Sequence, residues 1–258
     1  MIKELFKNQK PLMIAGAISL VCFVILAIIF PFDSTQILGV NRWIKPMKFF
    51  ISITIFVWTV AVYLNFLKGY TKSARIISWG MIAIFFVEMF IVVMQSLRGT
   101  TSHFNIKTPL DAMLFAIMGA SIALNTLLAV YLLFLYFKSE IELPKSVLWG
   151  MRLGLILFLA SSFEGGYMSA QIGHSVGVTD GNGGLPMVNW STKGGDLRVA
   201  HFIGMHAFQA VPFFAYTLEK YKIKSATAWT FIFALAYFAI FTAVFVQALL
   251  GKPLFAGF

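Results

Sequence analysis

Residues 11–30 read P-L-M-I-A-G-A-I-S-L-V-C-F-V-I-L-A-I-I-F, twenty positions without a charge. A helix rises 1.5 Å per residue, so about 20 apolar residues cross the ~30 Å hydrocarbon core of a bilayer. The run does not alternate polar and apolar residues as a barrel strand does. Lipid offers the backbone no hydrogen-bond partners, so the stretch reads as a transmembrane helix. The preceding M-I-K-E-L-F-K-N-Q-K is basic, as a signal peptide begins. The apolar run is too long for one and no small-residue cleavage site closes it, so an uncleaved first span is expected.

Six further apolar runs of comparable length follow, near 48–67, 76–97, 112–137, 147–170, 200–218 and 227–250. They predict an all-α polytopic membrane protein, with seven transmembrane helices in one bundle forming a single domain over 1–258. Composition agrees. Of 258 residues, 59% are hydrophobic and 12% charged, where a soluble domain carries about a quarter charged. Mean hydropathy is +0.84. These values exclude a soluble globular enzyme, a disordered chain and a secreted disulfide scaffold. The net charge of +10 does not point to nucleic acid, because the cations form short clusters between apolar runs. The expected partner is the lipid bilayer. The single cysteine, Cys22, lies inside the first span and excludes an internal disulfide.

Seven spans place the termini on opposite sides. The side of the N-terminus carries eleven Lys and Arg and the other side eight, with Arg152 inside a span. The positive-inside rule therefore predicts a cytoplasmic N-terminus and an outer C-terminus. Cytoplasmic connections are short and basic. The outer ones are longer and richer: residues 31–47 contain N-R-W-I-K-P, residues 98–111 contain R-G-T-T-S-H-F-N, and residues 171–199 hold Gly181, Gly183, Gly184, Gly194 and Gly195. Such a loop is either a lid or a plain glycine-rich turn. Trp43 and Trp190 read as interfacial anchors.

All four histidines, His103, His174, His201 and His206, fall toward the outer side. Glu88 and Glu164 lie within the spans, about 14 Å in from the outer end for Glu88. A carboxylate at that depth is costly unless protonated, paired or wetted, which makes both acids functional candidates; the bland alternative is a neutral Glu bonded between helices. Helical spacing puts Gln95 and Arg98 on the face of Glu88, and Tyr167 and Gln171 on the face of Glu164. The Glu–Gln spacing of seven residues occurs in both spans, a weak echo rather than a convincing repeat. Asp196 suits the N-cap of the sixth span. Beyond it Arg198 shares a face with His201, and His206 with Gln209. His201 and His206 are five residues apart, about 140° around the helix, so they do not form the H-x-x-x-H pair of a helical zinc site.

The segments N-R-W-I-K-P-M-K-F (41–49), R-G-T-T-S-H-F-N (98–105), H-S-V-G-V (174–178) and D-L-R-V-A-H-F-I-G-M-H (196–206) resemble those of a family of bacterial polytopic membrane proteins of uncharacterised activity. The resemblance covers most of the chain. It implies a bacterial inner-membrane setting and carries no catalytic role with it.

Three functional readings remain open. In the first, an intramembrane enzyme or redox protein uses Glu88, Glu164 and His206 as catalytic groups. His103, His174, His201 and His206 would then hold a divalent metal, or two of them a non-covalent haem. In the second, the same residues line a small-ligand binding or proton-coupled transport site. There Arg98, Arg198, Gln95, Gln171 and Gln209 contact the ligand or cofactor, Lys45 and Lys48 add counter-charge, and the two glutamates carry protons. In the third, the polar groups pair with one another and hold the bundle together. A metal needs at least three of the histidines to converge.

Overall fold

The computed structural model describes residues 2–181 and 184–255; Gly183 lies outside them. The chain is all-α. Among the described residues eight helices run in order: α1 (Ile2–Asn8), α2 (Lys10–Ile29), α3 (Ile44–Asn65), α4 (Thr71–Leu97), α5 (Pro109–Lys138), α6 (Lys145–Ala170), α7 (Leu197–Lys220) and α8 (Ala226–Leu249). All seven predicted spans are helices, with ends within a few residues of those read from the sequence, apart from the starts of α3 and α4, which begin four and five residues earlier. Six of them, all except α7, are long and apolar enough to cross a membrane. The apolar windows of α2, α5 and α8 are only 28%, 22% and 22% buried by protein. Apolar surface so extensive is accommodated by lipid. The chain is a multi-pass membrane protein in contact with the bilayer.

Short elements that hydropathy cannot report accompany the spans. They are α1, a 3-10 turn at Phe30–Phe32, and two small antiparallel pairs. Strand β1 (Gln36–Ile37) pairs with β2 (Val40–Asn41), and β3 (Ser175–Val176) with β4 (Gly195–Asp196).

The chain divides into two compact units, Met1–Leu128 and Ala129–Phe258. In the first, α2 and α3 pack closely because Gly16 leaves room for Trp58, whose Nε1 donates to the Met13 carbonyl at 3.2 Å. Ser19 Oγ donates to the Phe50 carbonyl at 2.9 Å and Thr54 Oγ1 to the Gly16 carbonyl at 3.2 Å. Close backbones and polar glue of this kind replace the hydrophobic effect, which is weak between helices already in lipid. Trp43 is not an interfacial anchor. It is buried against Leu26, Ile44 and Met47, and its Nε1 donates to Asp33 Oδ2 at 2.8 Å.

In the second unit, α6 and α7 run side by side over their full length. Gly150 and Gly154, four apart on α6, bring the helix against α7: a Cβ on Gly150 would meet Ala215 Cβ at 2.7 Å, and one on Gly154 the Ala207 carbonyl oxygen at 2.7 Å. This is the small-xxx-small device of membrane helix pairs. At one end Ser146 Oγ donates to Glu219; at the other, Ser161 Oγ donates to the His201 carbonyl at 2.9 Å. The more polar α7 is thus held along a helix that is itself apolar enough to span.

Candidate functional site

Each unit carries its own polar cluster. In the first, Glu88 on α4 is 2% exposed and Gln95, two turns on, is fully buried, so the shared face read from their spacing exists. Gln95 does not turn toward Glu88. Its Nε2 donates to Asp111 Oδ1 at 2.8 Å. Arg98 Nη1 donates to the same oxygen at 2.8 Å and also to Gln95 Oε1. Thr108 Oγ1 donates to Asp111 Oδ2 at 2.7 Å. Arg98 and Gln95 are therefore held by Asp111, a residue that sequence reading passed over because it sits at the start of a span.

Glu88 is different. Neither carboxyl oxygen has a hydrogen-bond partner among the described residues. Lys45, in the first turn of α3, acts on it through space and lies 5.8 Å over the Phe49 ring. Phe49 in turn meets the His103 ring edge-on at 5.3 Å. Ser102 Oγ is 3.1 Å from His103 Nδ1. Burial, reinforced by the Lys45 charge, holds the His103 imidazole well below its usual range and so neutral.

In the second unit the connection between α6 and α7 is tied to a carboxylate. Asp196 caps α7 as expected, accepting from the Arg198 N–H at 3.1 Å. Arg198 grips it from the side, Nε to Oδ1 at 2.9 Å and Nη2 to Oδ2 at 2.6 Å. The Ser191 N–H donates to Oδ2 at 2.8 Å. Burial pushes the Asp196 carboxyl up, but the Arg198 bonds and charge, His174 and the Ser191 N–H outweigh it and hold the group below the ordinary carboxylate range. His174 Nδ1 stands 3.4 Å from Asp180 Oδ1 and 3.6 Å from Asp196 Oδ1. The β3–β4 pair brings these groups together. Gly195 is required there, since a Cβ would fall 1.9 Å from the Ala248 carbonyl oxygen.

One buried turn inward lies the pair of chief interest. His201 Nδ1 is 3.0 Å from Glu164 Oε2 and 3.1 Å from the Ser161 carbonyl oxygen. Both neighbours can accept from an Nδ1–H, the tautomer in which Nε2 carries the lone pair. Glu164 is buried, and its Oε1 has no hydrogen-bond partner among the described residues. The His201 side chain remains 31% exposed. Its ring lies against Gly165, where a Cβ would come within 2.8 Å of Cε1. Beside Gly166 nothing lies within 4 Å.

The remaining candidates scatter. Gln171 is exposed, closing its own turn through Nε2 to the Gly173 carbonyl at 2.9 Å, and so does not join Glu164. His206 packs edge-on to Phe202 with centroids 4.4 Å apart. Among the described residues no three His, Cys, Asp or Glu side chains gather to hold a metal ion. The expected convergence of His103, His174, His201 and His206 on a metal is therefore corrected. His103 is walled by aromatic rings, and each of the others has its own local partner. The 140° between His201 and His206 sends them to different surroundings. No protein-family model, curated protein or solved structure matches the chain.

Proposed function

We propose that this is a bacterial inner-membrane protein that exchanges a proton with a small polar ligand at Glu164 and His201, as a proton-linked carrier does. The observation behind this reading is the buried Glu164 carboxyl group 3.0 Å from Nδ1 of an imidazole that is itself partly exposed. Such a carboxyl group orients the imidazole, and Nε2 is the ring atom that would take and return a proton. The cost of charge within the membrane favours a functional role for such a pair. Because α7 follows α6 from Ser146–Glu219 to Glu164–His201, we take it as a seventh crossing. With the excess of Lys and Arg on the N-terminal side, we read the N-terminus as cytoplasmic, the C-terminus as outside, and the His201 end of the pair as lying toward the outer face. The resemblance to a bacterial membrane family fits this setting.

The same dyad geometry also serves a general base, so an enzyme is the second reading. Purified protein in proteoliposomes, under a valinomycin-imposed potassium potential, is assayed with an internal pH dye while pools of small polar compounds are added outside. Compound-dependent proton entry is expected for the wild type and its loss for Glu164→Gln. A compound that emerges chemically altered selects the enzyme. Equal dye traces for the wild type and Glu164→Gln with every pool refute proton exchange at this pair.

A further inference from the structure

The outward face of α8 carries a shallow, open groove near its C-terminal end. The groove has a volume of about 750 Å³, and Phe238, Ala239, Thr242, Ala243, Val246 and Leu250 line it. Residues 238 to 250 span about 18 Å of helix axis, close to the depth of one bilayer leaflet, half of the ~30 Å hydrocarbon core.

The end of the groove is built. Gly251, at φ +71°, takes the left-handed conformation. Its N–H donates to the Ala248 carbonyl at 2.9 Å, and the Lys252 N–H donates to the Gln247 carbonyl at 3.1 Å. These are the two bonds of a Schellman turn. Gln247 Nε2 fastens the next residue through the Pro253 carbonyl at 2.8 Å. Lys252 is thereby set at the mouth of the groove, beyond the last apolar turn, at headgroup level. It has no ion pair among the described residues. Asp196 shares a small crevice with it but already accepts from Arg198 and Ser191.

We propose that this groove and Lys252 form a binding site for one anionic phospholipid of the leaflet at the C-terminal end of α8. Its acyl chain lies along Ala239 and Ala243, and its phosphate sits at the Lys252 ammonium. Length matches the chain, and charge matches the headgroup. The inference does not depend on the proton-exchange reading of Glu164 and His201.

The test is native mass spectrometry of the full chain from a neutral detergent, titrated separately with phosphatidylglycerol and phosphatidylcholine. The first phosphatidylglycerol is expected to bind about five-fold more tightly, the worth of one lysine against an anionic lipid. Lys252→Gln, outside the span, should reduce it to the phosphatidylcholine level. Ala243→Trp, at an exposed groove position, should weaken both lipids by filling the groove, and inorganic phosphate should not compete. Equal binding of the two lipids, or a preference that survives Lys252→Gln, overturns the proposal. So does displacement by phosphate alone, or a dimer that Ala243→Trp dissolves, since these identify a free-anion site or a second copy of the chain.

Discussion

Replacing Gly154 by alanine sets two opposed effects against each other. Alanine is the better helix former by about 1 kcal/mol. Against this, its methyl group would stand 2.7 Å from the Ala207 carbonyl oxygen and 3.1 Å from Pro212 Cδ. The first atom is backbone and cannot swing aside. Ordinary contact begins near 3.4 Å, so α6 and α7 must part by about 0.7 Å at this point. Overpacking of that kind costs about 1–3 kcal/mol, which wins, leaving a net loss of about 1 kcal/mol. The disturbed carbonyl directly follows His206. Unfolding in mixed micelles on titration with dodecyl sulfate, followed by circular dichroism, measures the effect. The control is Gly166→Ala, whose methyl group meets nothing within 4 Å, so the helix gain of about 0.5–1 kcal/mol should appear unopposed. If Gly154→Ala is as stable as the wild type or more so, the close α6–α7 contact is wrong, and with it the geometry of the Glu164–His201 pair.

Other outcomes are expected. His201→Ala should lose compound-dependent proton entry while the protein still inserts and folds; a variant that fails to accumulate yet works normally per molecule would mark His201 as structural. Asp33 is held well below the ordinary carboxylate range by the Thr35 N–H and hydroxyl, aided by Arg42 and Trp43. Its contribution is present above pH ~4 and is lost only as the pH falls through its lowered value; Trp43 emission that changes at or above pH 4 would contradict this. His103 is buried neutral, so its contribution is complete above about pH 6.5 and declines as the pH falls below that, where the unfolded chain binds the proton. His103→Phe should flatten that acid-side slope in a stability–pH series, and an unchanged slope would assign it elsewhere. Lys68→Ala, in a plain basic connection, should leave activity intact, whereas a total loss would place the working face on the wrong side.

Hydropathy exposed the spans because a membrane helix must satisfy its backbone internally and face lipid with apolar side chains, and both demands are written locally. The Asp196 cap and the shared burial of Glu88 and Gln95 were legible for the same reason: they depend on spacing along one helix. The Gly150–Gly154 pair had a readable signal in its spacing of four, yet only the α7 backbone lying against it shows which helix it admits. Asp111 was missed because an acid in the first turn of a span reads as a helix-start residue until Arg98, Gln95 and Thr108 are seen around it. Gln171 was misplaced because α6 ends at Ala170, one residue before the helical spacing could carry it to the face of Glu164.

Fold class, membrane setting and the polar candidates follow from residue order alone, since they rest on composition and on periodicity within single segments. Which candidates meet does not. The pairing of Glu164 with His201, the capture of Arg98 by Asp111 and of Arg198 by Asp196, and the separate partners of the four histidines depend on how distant segments pack. A one-turn shift between α6 and α7 would move His201 by about 5.4 Å, enough to break its 3.0 Å contact while leaving every hydropathy run unchanged.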